Sequence, residues 1–186
     1  MKGIIFNLLE DAVTSQYGAD TWDELLTATQ LEGVYTSLGS YPDAEIQALV
    51  RAAADRLHLS PFEVLRWFGR KAMPMLLERY PAFFATQTST RPFLRSVNSL
   101  IHPEVLKIYP HADTPTFEFH DAPDGGLLLG YRSERRMCAL IQGFAEGAAE
   151  YYGETATFDH RLCMHRGDDR CLCHITFAPN RTPSTC

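Results

Sequence analysis

The apolar residues of this chain change their period once, near Pro115, and that change separates what can form before it from what can form after it. Upstream, Ile4, Ile5, Leu8, Leu9 and Val13 recur at the spacing of one helix face and Gly18 offers a stop, which predicts an amphipathic helix over roughly the first 17 residues. Asp20-Thr21-Trp22-Asp23 supplies cap chemistry for a second, short helix. Pro42-Asp43 opens a third, carried by Ile46, Leu49, Val50 and Leu57. Ser60-Pro61 starts a fourth with Val64, Leu65, Phe68, Met73 and Leu76 inward, and Pro74 is expected to end or kink it. Between Arg91 and Tyr109, Leu94, Val97, Ile101, Val105 and Ile108 share one helix face with His102 beside it. Pro103 disfavours helical geometry at the residue before it, which puts His102 at a kink or at the junction of two helical pieces.

Downstream of Pro115, Thr116, Phe117 and Phe119, then Pro123-Asp124-Gly125-Gly126, then Leu127 to Tyr131 read as a hairpin closed by a glycine turn. Ser133 can cap a helix from about Glu134 to Tyr152. Strands near Thr155–Leu162 and Arg170–Phe177, around the turn Arg166-Gly167-Asp168, complete a small antiparallel sheet. Helices followed by a sheet carrying one long helix make an α+β fold. At 186 residues the expectation is a single domain over 1–178, with a helical N-terminal part to about residue 62, a sheet-bearing part over about 63–178, and a loose tail at 179–186.

Composition narrows the function classes. With 45% hydrophobic and 22% charged residues the chain reads as globular. A net charge of -6 and scattered basic residues argue against a nucleic-acid partner. The N-terminus lacks a signal-peptide pattern, and no stretch approaches the roughly 20 apolar residues of a membrane span. A cytoplasmic location without membrane insertion is the expectation. Five cysteines in that setting imply free thiols or metal ligands, and four of them lie between Cys138 and Cys173.

Two residue sets carry chemistry. A histidine on an apolar helix face is by itself more often structural than a ligand. Beside it, however, stands Tyr131-Arg132-Ser133-Glu134-Arg135 at a strand–helix junction, where a guanidinium fork and two hydroxyls can hold the two carboxylates of a haem. The alternative is a strand end, a serine cap and a solvated arginine. In the second set, His160-x-x-Cys163 is tight local spacing and the Gly167-Asp168 turn brings Cys171 back beside it. With Cys138 from the helix, three thiolates and an imidazole suit a tetrahedral structural zinc. Cys173, His165 and His174 are near enough to replace one of them. A buried thiol cluster or a redox pair is the competing reading.

From the opening Met1-Lys2-Gly3 through His102, Pro115 and Tyr131-x-Ser133-x-Arg135 to Gly143 and Glu146-Gly147, the chain resembles the haem-nitric oxide/oxygen binding (H-NOX) domains, bacterial stand-alone relatives of the haem domain of soluble guanylate cyclase. The resemblance implies haem b, with His102 as proximal iron ligand, Pro115 pressing on the porphyrin, and Tyr131, Ser133 and Arg135 clamping the propionates. It places Ile5, Leu76, Leu140 and Phe144 above the haem. Pro103, directly after the ligand, departs from the pattern. Oxygen-binding members carry a distal tyrosine donor where Leu140 stands, so the resemblance implies ferrous haem that takes NO and CO and excludes O2. It further implies signalling by His102 release and haem relaxation to a separate sensor histidine kinase or cyclic-di-GMP-metabolising enzyme, without catalysis by this chain. Some relatives share a Cys/His/Cys/Cys zinc site resembling Cys138, His160, Cys163 and Cys171. Alternatives from other classes are a zinc- or thiol-based redox sensor, a haem-free apolar pocket, and a zinc hydrolase using Cys138, His160 and Cys163 with Asp159 or Asp168 as base.

Overall fold

A computed structural model describes residues 1–109 and 112–180. Four helices open the chain: α1 (Gly3–Tyr17), α2 (Ala19–Thr29), α3 (Asp43–Leu57) and α4 (Pro61–Arg79). Ser60 caps α4 by a reciprocal pair, its hydroxyl accepting from the Glu63 amide at 3.2 Å while the Glu63 carboxylate accepts from the Ser60 amide at 2.8 Å. Of the two outcomes expected at Pro74, an end to α4 does not occur, since the helix continues through it. An interior proline costs about 3 kcal/mol, but α4 buries Val64, Phe68 and Met73 along one side, at about 1.5–3 kcal/mol each. Packing therefore outweighs the local penalty.

After the short α5 (Pro81–Ala85), the stretch read as one helix is three pieces: α6 (Thr90–Ser96), a π-helical turn (Val97–Ile101) and α7 (His102–Ile108). His102 lies at the expected junction. Pro103 is the second residue of α7, which follows the π-helical turn without a break, the His102 amide still donating to the Val97 carbonyl.

The sheet is antiparallel throughout, in the order β1 (Thr116–Asp121), β2 (Leu127–Arg132), β4 (Cys171–Pro179), β3 (Glu154–Leu162). Alternation along these strands places Phe117, Leu129, Tyr131, Cys171, Cys173 and Ile175 in the buried core. Against them lies α8 (Cys138–Tyr151). It starts four residues later than the sequence suggests, because Arg136 adopts a left-handed φ of 50° and the Met137 amide donates to the Tyr131 hydroxyl at 3.0 Å. Ser133 instead closes a local turn by accepting from the Arg135 amide at 3.3 Å. Nor does the sheet stop where the tail was expected: β4 reaches Pro179, and the Asn180 amide donates to the Gly153 carbonyl at 2.8 Å. The rest of that expected tail, 181–186, lies outside the described residues.

Two apolar cores result. One joins α1, α2, α3 and the first part of α4; the other lies between α8, the sheet and α6. Leu76 and Phe144 pack against both. Among the described residues, no helix is long and apolar enough to cross a membrane.

Candidate functional site

His102 is the first residue of α7, and its ring centroid lies 5.7 Å from that of Phe117 on β1. Burial holds its pKa below the ordinary imidazole value, which keeps the ring neutral with one bare nitrogen lone pair, the form a metal binds. Pro115 immediately precedes β1. At the far end of β2, Tyr131 is 3% exposed, and burial raises its pKa.

Arg135 is nearly enclosed, with a side-chain exposure of 14%. Its Nε lies 2.9 Å from Asp43 Oδ2 and its Nη1 lies 3.0 Å from Asp113 Oδ2. Nη1 also donates to the Asp113 carbonyl at 2.7 Å. Asp43 additionally accepts from the N-terminal ammonium at 2.5 Å. Burial works against ionisation of Asp43, but the ammonium and the guanidinium prevail and hold its pKa below the usual carboxylate value. The Arg135 Nε is buried without a hydrogen bond of good geometry. A guanidinium that already faces two carboxylates is placed to receive carboxylate groups.

Ile5, Leu76, Leu140 and Phe144 all belong to the first core, with Leu140 5% exposed. Val97 and Ile101, just before His102, pack against the second. The residues expected above a haem thus belong to the first core, which meets the second through Leu76 and Phe144.

The sulfurs of Cys138, Cys163 and Cys171 lie within 4.8 Å of one another. A tight turn builds this cluster: the Arg166 amide donates to the Cys163 carbonyl at 2.8 Å, the Cys163 amide donates to Asp168 Oδ2 at 2.7 Å, and Gly167 takes a φ of 95° that glycine readily supplies. The Met164 amide donates to Cys171 Sγ at 3.3 Å. Hydrogen bonds from the Cys138 thiol and from this amide lower the Cys171 pKa to about 6, while Cys138, as the donor, is pushed up. His160 is not one of this group. Its ring borders the same cavity as Cys138 and Cys171 but pairs with Gln142, Nε2 to Oε1 at 2.7 Å. Burial is the largest influence on its pKa, which is lowered. Of the other candidates, His165 is 2.6 Å from the Arg136 carbonyl and His174 is 3.0 Å from Asp124. Cys173 borders the cavity, and burial pushes its pKa up to about 12.

A family model described as haem-NO-binding matches residues 2–160. The chain belongs to the H-NOX family. Solved structures agree. An H-NOX protein from S. oneidensis in the Fe(II)NO state is 32% identical, with 96% of this chain and 99% of that chain covered at a TM-score of 0.90. The H-NOX protein from K. algicida in its Fe(II) unliganded state is 29% identical over 98% of this chain and 99% of that one, at 0.86. The H-NOX from Shewanella woodyi in an Fe(II)CO state is 30% identical over 100% and 99%, at 0.82. H-NOX domains are haem-based gas sensors rather than enzymes, and members of the family bind NO and CO.

For an H-NOX chain the donor set fits the group: a neutral imidazole at 102, and a largely enclosed guanidinium at 135 that already faces carboxylates. Sequence reasoning missed the partners that hold these residues. Asp43 and Asp113 on Arg135 left no motif. Gln142 and Glu146 do stand at i, i+4 on α8, a spacing that brings side chains together, but Arg66, which completes that set from α4, is 80 residues away from Glu146 and leaves no local signal.

Proposed function

We propose that this chain is a nitric oxide sensor that binds haem b through His102, takes NO and CO at the ferrous iron, excludes O2, and signals to a separate sensor histidine kinase or cyclic-di-GMP-metabolising enzyme. The observation that carries the gas selectivity is Leu140, buried in the first core to which Ile5, Leu76 and Phe144 also belong; none of these four side chains can donate a hydrogen bond. Bound O2 gathers negative charge and gains from a donor; NO and CO need it far less. Haem supplies the iron position at which the gas binds. His102 contributes its neutral imidazole, and Arg135, Tyr131 and Ser133 take the propionates, with Asp43 and Asp113 as competing carboxylates for the same guanidinium.

Transmission is supported by the change of helix geometry at His102, where the π-helical turn Val97–Ile101 gives way to α7. A helix interrupted at its ligand can shift there when the tether is released. The four described cysteines are buried free thiols, which suits a reducing compartment such as the cytoplasm.

We further propose a structural zinc on Cys138, Cys163 and Cys171 with His160 as the fourth ligand. The clustered sulfurs support it, together with the amide donor to Cys171, which favours a thiolate. A cluster that serves only as a redox switch would bind no metal when reduced.

Absorption spectroscopy tests the haem reading. Purified ferrous protein is expected to show a Soret band that shifts with NO and CO and not with air, and His102→Gly is expected to change the coordination spectrum. A stable oxygen complex overturns the selectivity; a spectrum indifferent to His102→Gly overturns the ligation.

A further inference from the structure

The mechanism above leaves one buried polar set unused. On α8, Glu146 and Gln142 are each 8% exposed. Arg66 Nε on α4 lies 2.9 and 2.8 Å from the two oxygens of Glu146, and Gln142 Nε2 donates to Glu146 Oε1 at 2.8 Å. The other end of the Gln142 amide meets His160 Nε2 at 2.7 Å. The set therefore runs from α4 through α8 to β3 and ends on His160, which borders the same cavity as Cys138 and Cys171 but lies outside the group of three sulfurs within 4.8 Å of one another.

Donor and acceptor roles are forced along it. A carboxylate only accepts, so the Gln142 group against Glu146 must be its NH2. Its carbonyl oxygen then faces His160, and a carbonyl oxygen also only accepts. The His160 Nε2 must carry a hydrogen, and in a neutral ring Nδ1 is left with the lone pair. Turning the amide over would set oxygen against oxygen at a buried carboxylate, so Arg66 and Glu146 fix the orientation of Gln142.

We propose that Gln142, oriented by Glu146 and Arg66, is a positioning residue for His160, holding the imidazole in its Nε2–H form so that Nδ1 is the nitrogen that takes the metal. The proposal rests on the zinc reading above. The fold supports it twice. Close backbone approach of α4 and α8 at Gly143 brings Arg66 and Glu146 together. On β3 the ladder register shifts between His160 and Leu162, an irregularity of the kind that re-aims side chains beside sites. The neutral amide also keeps the Glu146 charge from contacting the imidazole directly, which suits a site that already gathers three thiolates around one divalent ion. Hydrogen bonding to the remaining imidazole N–H is how outer groups fix a ligating histidine.

The test uses the full chain, as wild type and Gln142→Met. Long-range 1H–15N spectra of the zinc-free protein read which His160 nitrogen carries the proton. Wild type is expected to show the Nε2–H form and Gln142→Met to lose it. Cobalt(II), titrated as a probe with visible detection, is expected to bind about 10- to 100-fold more weakly to Gln142→Met, with the sulfur-to-cobalt bands retained. An Nδ1–H form in wild type overturns the proposal, as does unchanged cobalt affinity in Gln142→Met. Wild type that shows the Nε2–H form and takes up no cobalt fails the zinc reading and overturns the ligand role of Nδ1, and the spectra separate that from a failure of the relay. The wild-type spectrum decides the first point even if Gln142→Met does not fold.

Discussion

A β-carbon on Gly143 would stand 2.1 Å from the backbone carbonyl oxygen of Arg66. Neighbouring glycines behave alike: at Gly69 the Leu140 carbonyl would be 2.4 Å away, and at Gly147 the Met73 β-carbon 2.7 Å. The two helices touch backbone to backbone, and no side-chain rotation can make room at Gly143. Gly143→Ala is therefore expected to force α4 and α8 apart, at about 1–3 kcal/mol or more by overpacking. Thermal unfolding followed by circular dichroism should show a drop of about 2–4 °C for each kcal/mol lost. An unchanged midpoint would refute close backbone contact.

Asp43 joins the N-terminal ammonium to Arg135, tying the N-terminus and the start of α3 to the segment after β2. Its folded pKa is depressed below the ordinary 3.8. A depressed carboxylate stabilises the fold above its unfolded pKa, and that contribution is lost as pH falls through the folded value. Asp43→Asn should thus be less stable than wild type at pH 7, and the gap should close below about pH 4, where the unfolded chain begins to protonate. Denaturant titrations at the two pH values measure it. A gap that widens on acidification contradicts the assignment.

Leu140→Tyr places a hydroxyl donor in the apolar group formed with Ile5, Leu76 and Phe144. Ferrous haem in this variant is expected to form an oxygen adduct in air where the parent forms none, read from the Soret position and the visible bands. Failure to bind O2 in a folded, haem-loaded variant would mean that residue 140 does not face the gas.

Cys171 receives hydrogen bonds from the Cys138 thiol and the Met164 amide, so it anchors the thiol cluster. Cys171→Ser is expected to lower metal content measured by elemental analysis and to abolish the fall in melting temperature that a strong chelator causes in the parent. Chelator sensitivity that persists in Cys171→Ser places the metal elsewhere.

Features dictated locally were legible in the sequence. The cap at Ser60, the proline-led start of α3 at Pro42-Asp43, the glycine turn after Pro123, and the alternation of Phe117, Phe119, Leu127 and Leu129 each fix conformation within a few residues, and α3, α4 and the hairpin fall where those signals put them. Cys138, Cys163 and Cys171 could be grouped because a short turn closes two of them onto one another. Departures came where a distant contact decides. Pro74 remains helical because α4 is packed along its length; α8 begins late because the Tyr131 hydroxyl holds the Met137 amide while Arg136 turns left-handed. The carboxylates around Arg135 and the Arg66–Glu146–Gln142–His160 set join segments far apart in the chain, and no local periodicity records such meetings.

The wide turn over Val97–Ile101 gives the helix leading to His102 one residue more than α-helical spacing needs. Such slack is a place where a helix can take up or give back length without unravelling on either side. Under the proposed release of His102, such a turn would let α7 shift while α6 stays seated.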